Sequence, residues 1–304
     1  MITRKEDMYD LIILGTGPAG LAAAVYAARY KMNFLVIGAL SGGTVTQAHM
    51  VENYPGIEGV TGIELGKRMA DHAKKLGSDI AADLIKKIEK KDGYFVLHGS
   101  KEYETKRILL AIGAERAKLK IKGEDELLGK GVSYCATCDG PFFKNKTVCV
   151  VGGGNAAVTS ALYMAELAEK VYLIYRGTEL KAEPAWIENL ESQKNIETIY
   201  NANINEIQGK NNVEGTVLDT NRKIETDGVF IEIGSTPNKA LIAGLGLKTD
   251  NRGYITVDSE LKTGAKGIWA AGDIAQNGFK LRQAITAAAE GAIAVYSIYL
   301  DTKK

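Results

Sequence analysis

Cys135 and Cys138 are separated by Ala136 and Thr137 and followed at once by Asp139 and Gly140. Two thiols at that spacing can close a small disulfide ring. The adjoining carboxylate can manage the proton that a thiol gains or loses. The pair lies between two glycine-rich segments, Gly15-Thr16-Gly17-Pro18-Ala19-Gly20 and Gly152-Gly153-Gly154-Asn155-Ala156-Ala157. Such loops carry the spacing that cradles a dinucleotide pyrophosphate. A dithiol between two of them implies electrons moving among a nicotinamide, a flavin and a disulfide.

The elements that must position these residues repeat along the chain. Asp10–Leu14 is an apolar run entering the first glycine loop and reads as a buried parallel strand. Leu21–Tyr30 reads as a helix and Asn33–Ile37 as the next strand, completing one βαβ unit. Gly62–Leu76 has the periodicity of an amphipathic helix, and Arg107–Gly113 reads as another buried strand. The pattern restarts with strand Thr147–Val151, the second glycine loop, helix Ala156–Ala168 and strand Lys170–Tyr175. Later strands are expected at Gly228–Ile233 and Gly267–Ala271. The repeat implies an α/β fold with two Rossmann-like dinucleotide-binding domains, the second inserted into the first. The chain is expected to cross between them near Ala114–Lys120 and Pro237–Leu245.

The bulk properties agree with a soluble enzyme. The chain has 304 residues, enough for two domains, and 45% hydrophobic and 25% charged residues. A net charge of +1 offers nothing to nucleic acid or a membrane surface. Three cysteines are too few for a secreted disulfide scaffold. Met1–Asp7 lacks the apolar core of a signal peptide. Ala284–Leu300 is apolar but carries Glu290, and reads as a buried helix rather than a membrane span. A cytoplasmic location is the expectation.

In the first loop, Gly15 permits the tight turn, Gly17 lets backbone approach a pyrophosphate, and Gly20 allows close helix–strand packing. The usual acid about 20 residues on, for a ribose hydroxyl, is missing: Ile37 is followed by Gly38-Ala39-Leu40-Ser41-Gly42-Gly43. Glu52 and Asn53 are either polar cofactor contacts or simply part of a Pro55-Gly56 turn. In the second loop Ala157 stands at the last glycine position, a variant that packing allows. No carboxylate closes the following strand. Arg176 and Lys181 either pair a 2′-phosphate or belong to a solvated basic turn.

Three readings compete for the cysteine pair. Zinc needs four ligands, yet Cys149 falls mid-strand, and His49, His72 and His98 show no ligand spacing, so no metal is expected. Inert core cysteines leave Asp139-Gly140-Pro141 unexplained. A redox dithiol accommodates all of these residues. Cys149 reads as a small core residue.

With Cys135-Ala136-Thr137-Cys138-Asp139-Gly140 between two fingerprints, the chain resembles the low-molecular-weight thioredoxin reductases over essentially its whole length. The likeness extends through Val51–Gly56, Ala111-Ile112-Gly113, Gly131–Tyr134, Asp227–Gly234, Pro237-Asn238, Ala271-Gly272-Asp273-Ile274 and Arg282-Gln283-Ala284. It implies an FAD domain in two parts, 1–116 and 242–304, around a nicotinamide domain at 117–241. It implies that Cys138 faces the flavin, that Cys135 attacks the partner's disulfide, and that Asp139 supplies the proton. FAD contacts are expected from Gly15, Gly17, Pro18, Ala19, Gly20, Gly43, Asn53, Ala111, Gly113, Gly272, Asp273, Arg282, Gln283 and Ala284. NADPH contacts are expected from Gly152, Gly154, Asn155, Ala156, Arg176 and Lys181. A thioredoxin or glutaredoxin-like acceptor and a homodimer are also implied. The C-terminal helix lacks the His-Glu pair of the larger disulfide reductases.

The likeness breaks at one place. The family's phosphate motif is His-Arg-Arg-x-x-x-Arg, whereas this chain has Tyr175, Arg176, Gly177 and Lys181. Lys181 keeps charge but cannot make a bidentate fork. NADPH binding is therefore expected to be weakened, and NADH, ferredoxin or a deazaflavin stand as alternative donors. Outside catalysis, a nucleotide-dependent redox sensor is the remaining reading.

Overall fold

The computed structural model describes residues 8–48, 50–278 and 281–303; Met1–Asp7 and His49 of the sequence reading lie outside them. The strands used below are β1 (Leu11–Leu14), β2 (Phe34–Ile37), β3 (Ile108–Leu110), β4 (Thr147–Val151), β5 (Lys170–Tyr175), β6 (Gly228–Ile231) and β7 (Ile268–Ala270). The helices are α1 (Pro18–Arg29), α2 (Gly62–Lys75), α3 (Ala136–Asp139), α4 (Asn155–Leu167), α5 (Pro184–Glu191) and α6 (Ala284–Asp301). The chain divides into two compact units. One is built from residues up to Thr46, Met50–Glu115 and Thr236 onward, and the other from Arg116–Ser235 together with Gln47.

In the first unit a parallel sheet runs in the order β7-β3-β1-β2, with Ile80–Ala81 at its edge. Leu11, Ile12, Ile13, Ile108, Leu109 and Leu110 are fully buried. Burial on both faces is why these strands read as continuous apolar runs. α1 starts at Pro18, three residues before the expected Leu21, because proline is tolerated in a first helical turn where its missing N–H has no partner to lose. β3 stops at Leu110 rather than running to Gly113, since Gly113 has φ +62°, outside strand geometry. α6 packs against α1 so closely that a methyl group built on Gly291 would lie 2.0 Å from the Ala19 carbonyl oxygen. Trp269 on β7 donates to Ser297 Oγ of α6 at 3.0 Å. No helix among the described residues is long and apolar enough to cross a membrane. A second, four-stranded sheet, with Lys87–Lys90, Phe95–His98 and Glu102–Thr105 antiparallel, adds Ile88, Phe95, Leu97 and Tyr103 to the same core.

The second unit repeats the scheme. Its parallel sheet has β6 beside β4, β4 beside β5, and Ile196–Tyr200 beyond β5. β4 alternates: Val148 and Val150 pack with Ala157, Val158, Ala161 and Met164 of α4. Cys149 and Val151 join Ile204, Ile207, Leu218 and Ile224 of an antiparallel meander. Cys149 is thus a core residue, and burial pushes its thiol up to about 11. β6 ends at Ile231, two residues short of the expected Ile233, just before Gly234 at φ +103°.

One ionic cluster is set into this second core. Glu232 follows β6, is buried, pairs with Arg116 Nη1 at 2.7 Å and accepts from Ser160 Oγ at 3.2 Å. Desolvation outweighs the lowering pull of Arg116 and Ser160, and holds the carboxyl up at about 7. A carboxyl whose folded-state value is raised contributes stability that is fully present below its ordinary value of 4.5 and lost as pH rises through about 7. The shift corresponds to about 3 kcal/mol. Wild-type protein should therefore lose thermal stability relative to Glu232→Gln as pH rises from about 4.5 to 7.5, read by thermal unfolding at stepped pH. Parallel stability curves for the two proteins would contradict this assignment.

Candidate active site

The first glycine loop joins β1 to α1. Gly15, at φ +115°, lies so close to the chain after β3 that a methyl group on it would meet the Ala111 oxygen at 2.0 Å. Gly20 is pressed on the Gly15 carbonyl at 1.9 Å by the same measure, and Gly43, at φ +61°, on the Gly17 Cα at 2.7 Å. Gly17 is different: space for a side chain there is open out to 3.9 Å. It is also the N-cap of α1 and caps nothing through a side chain, so the first-turn N–H groups face that space without a side-chain partner. An open cradle at an uncapped helix start fits a pyrophosphate. Gly272, at φ +75°, backs onto Ala19, and its N–H donates to Glu290 Oε2 at 2.8 Å.

The remaining flavin-side expectations fall into smaller groups in the same unit. Asn53 Nδ2 donates to Gln283 Oε1 at 3.1 Å, across 230 residues of sequence. The Pro55-Gly56 segment is a turn, with Ile57 N–H donating to the Tyr54 carbonyl. Arg282 stacks over Tyr254 at 4.1 Å and donates to Gln276 Oε1 at 3.0 Å. Its Nε is buried with no partner among the described residues, as expected of a group waiting for a ligand. Pro18 and Ala284 open α1 and α6, and Asp273 lies in the Gly272–Ile274 turn. The absent acid after β2 has a steric cause: Gly38 abuts Thr16, where a methyl group would meet Oγ1 at 2.5 Å. Glu290 was legible only as a lone charge in an apolar helix.

The second loop joins β4 to α4 in the other unit. Gly152, at φ +142°, faces the Glu232 carbonyl, and Gly154 has nothing within 4 Å of a side-chain position. Gly154 also N-caps α4 with no side-chain bond. This is the same open cradle, and it fits a second pyrophosphate. Asn155 is clamped to Glu183 by two bonds, Nδ2 to Glu183 Oε1 at 2.8 Å and Glu183 N–H to Asn155 Oδ1 at 2.7 Å. Ala156 follows it in the first turn of α4. The Lys181 N–H folds back on the Gly153 carbonyl at 2.6 Å. Arg176 and Lys181 are exposed.

The cysteines form a disulfide, with Cα atoms 5.3 Å apart. Cys135 caps the one-turn α3, its Sγ accepting from the Cys138 N–H at 3.3 Å. Cys135 is buried and Cys138 exposed. Ser133, which sequence reasoning did not single out, ties the site together. Its Oγ accepts from the Cys135 N–H at 3.0 Å and donates to Asp139 Oδ2 at 2.6 Å. Its signal was a hydroxyl two residues before the first cysteine. Gly140 leaves room for Tyr163 and Met164 of α4, which seats the turn on that helix.

Comparison with known proteins agrees with this site. Residues 9–291 match the family model described as pyridine nucleotide-disulphide oxidoreductase. A thioredoxin reductase of Bacillus subtilis is 40% identical over 302 residues, 97% of this chain and 95% of that protein. The crystal structure of T. acidophilum thioredoxin reductase is similar with a TM-score of 0.92 and 37% identity, covering 98% of this chain and 100% of the other. That of the Lactococcus lactis thioredoxin reductase gives 0.91 and 34%, covering 96% and 99%. The family implies FAD and a nicotinamide cofactor. With a cysteine pair that lies, along the sequence, between two glycine-rich loops, and likeness along nearly the whole sequence, the chain belongs to the pyridine nucleotide-disulphide oxidoreductase family, among the low-molecular-weight thioredoxin reductases, as a disulfide oxidoreductase.

Proposed function

We propose that this chain passes an electron pair from a reduced nicotinamide to the disulfide of a thioredoxin or glutaredoxin-like protein, through FAD and the Cys135–Cys138 pair. The observation that carries the reading is the disulfide, seated on a helical turn with a carboxylate beside it. NADPH is the donor that the resemblance favours. FAD is assigned to the first unit, held by Gly15–Gly20, Gly43, Asn53, Ala111, Gly113, Gly272, Asp273 and Arg282–Ala284. The nicotinamide is assigned to the second, at Gly152–Ala157 with Arg176 and Lys181. Bound FAD would accept a hydride from the nicotinamide and deliver the pair to the disulfide.

The protein's own residues then account for acceptor reduction. Cys135, as thiolate, attacks one sulfur of the acceptor disulfide, forming a mixed disulfide and releasing the other acceptor sulfur as a thiolate. Asp139, which accepts from Ser133 Oγ, is the group assigned to give that sulfur a proton. Cys138 attacks Cys135 Sγ, closes the ring and frees the second acceptor sulfur. The acceptor gains two electrons and the pair loses them. The Cys138 N–H stabilises a negative sulfur at position 135. Acceptors of this class stand near about −270 mV, so the pair must be of comparable potential. A pair that cycles in this way suits the reducing cytoplasm.

Two exposed apolar features suit protein partners. Phe142, three residues beyond Asp139, is 74% exposed, and an aromatic anchor so close to the disulfide suits a docked protein. Tyr26, Ile293, Tyr296 and Leu300 form an exposed strip linked through Tyr30, which a homodimer would cover.

With Cys138→Ser, Cys135 should capture the acceptor as a stable mixed disulfide while flavin reduction persists; denaturing gels without reductant check this. Capture by Cys135→Ser instead would exchange the two roles. Phe142→Ala should raise KM for the acceptor protein about tenfold and leave turnover of a small aromatic disulfide unchanged, an effect of about 1.4 kcal/mol. Equal loss on both substrates would remove Phe142 from docking.

A further inference from the structure

The second nucleotide cradle is generic at its pyrophosphate end and particular at its adenosine end. In a fold of this type the adenosine ribose lies against the residues that end the second strand, here Tyr175 and the turn after it. Discrimination between NADPH and NADH is a question of which fixed cations stand there.

The Tyr175 ring fills the space between two glycines. A methyl group built on Gly153 would lie 2.5 Å from its Cδ2 and Cε2, and one built on Gly177 would lie 2.6 Å from its Cε1 and 2.9 Å from its hydroxyl. Gly177 has no positive φ, so its backbone accepts any residue, and a side chain there must displace the Tyr175 ring. The Lys181 N–H bond to the Gly153 carbonyl closes the turn over this wedge. Tyr175 thereby removes one position from which a cation could reach a 2′-phosphate.

The cations that remain are balanced. Across Tyr175–Glu183, Arg176 and Lys181 stand against Glu179 and Glu183. Glu183 is fixed beside the cradle by its two bonds to Asn155. Arg176 and Lys181 are exposed and form no ion pair with another described residue that would hold them in place. Mobile surface cations contribute little to binding a charge that water also solvates.

We infer that the Tyr175 wedge and the charge balance around it make the second site nearly indifferent to the 2′-phosphate, so that NADH serves this protein about as well as NADPH. The inference rests on the reading of Gly152–Ala157 as the nicotinamide site and goes beyond it by naming Tyr175 as the specificity-determining residue.

Calorimetric titration of the FAD-loaded protein with 2′,5′-ADP and with 5′-AMP tests binding apart from turnover, and stopped-flow flavin reduction by NADPH and NADH tests use. Both ratios should lie within about tenfold, or 1.4 kcal/mol. Tyr175→Ala/Gly177→Arg should tighten 2′,5′-ADP at least tenfold with 5′-AMP unchanged, whereas Gly177→Arg alone, blocked by the ring, should not. A wild-type preference above about a hundredfold for 2′,5′-ADP or NADPH, lost in Arg176→Ala/Lys181→Ala, would overturn the inference and leave the nicotinamide reading standing. Binding of neither nucleotide, with chemically reduced protein still reducing thioredoxin, would overturn both.

Discussion

Two helices in this protein begin on a glycine that caps nothing. Gly17 and Gly154 each leave the first-turn N–H groups of a long helix without a side-chain acceptor, and each leaves open space where a side chain would stand. Unpaired backbone donors at a helix start cost stability unless water or an anion meets them. The rest of each unit serves this arrangement. Gly15 and Gly152, both at positive φ, fold the loop back against the neighbouring strand. The buried parallel sheets hold those strands in register.

The dithiol follows a different logic. It depends on one short turn tied by three hydrogen bonds: Cys138 N–H to Cys135 Sγ, Cys135 N–H to Ser133, and Ser133 to Asp139. Such a network fixes where the sulfurs and the carboxylate stand relative to one another, which is what ordered thiol exchange needs. Cys149 shows the contrast. Its sulfur is of the same chemistry, but core burial raises its pKa and removes it from exchange.

The parallel sheets and both loops were legible because fully buried strands and glycine spacing leave marks that survive without tertiary context. The dithiol was legible from spacing alone. The antiparallel strands were not. Lys87–Lys90, Glu102–Thr105 and Ile204–Gln208 bury only one or two residues each and carry Lys, Glu and Asn beside them, so they read as polar chain. Ser133, Glu290 and the Asn155–Glu183 clamp escaped because their meaning lies in partners distant in sequence or in backbone groups. The Tyr175 wedge is of the same kind: the sequence has the two glycines, but only packing joins them through one ring.

In the proposed reaction the Cys135–Cys138 disulfide exchanges electrons with the bound flavin. Anaerobic reductive titration of the FAD-loaded protein tests it most directly. Wild-type protein should take up one electron pair for the flavin and a second for the disulfide, and Cys138→Ser should take up the first pair only. Equal uptake by the two proteins would contradict the account.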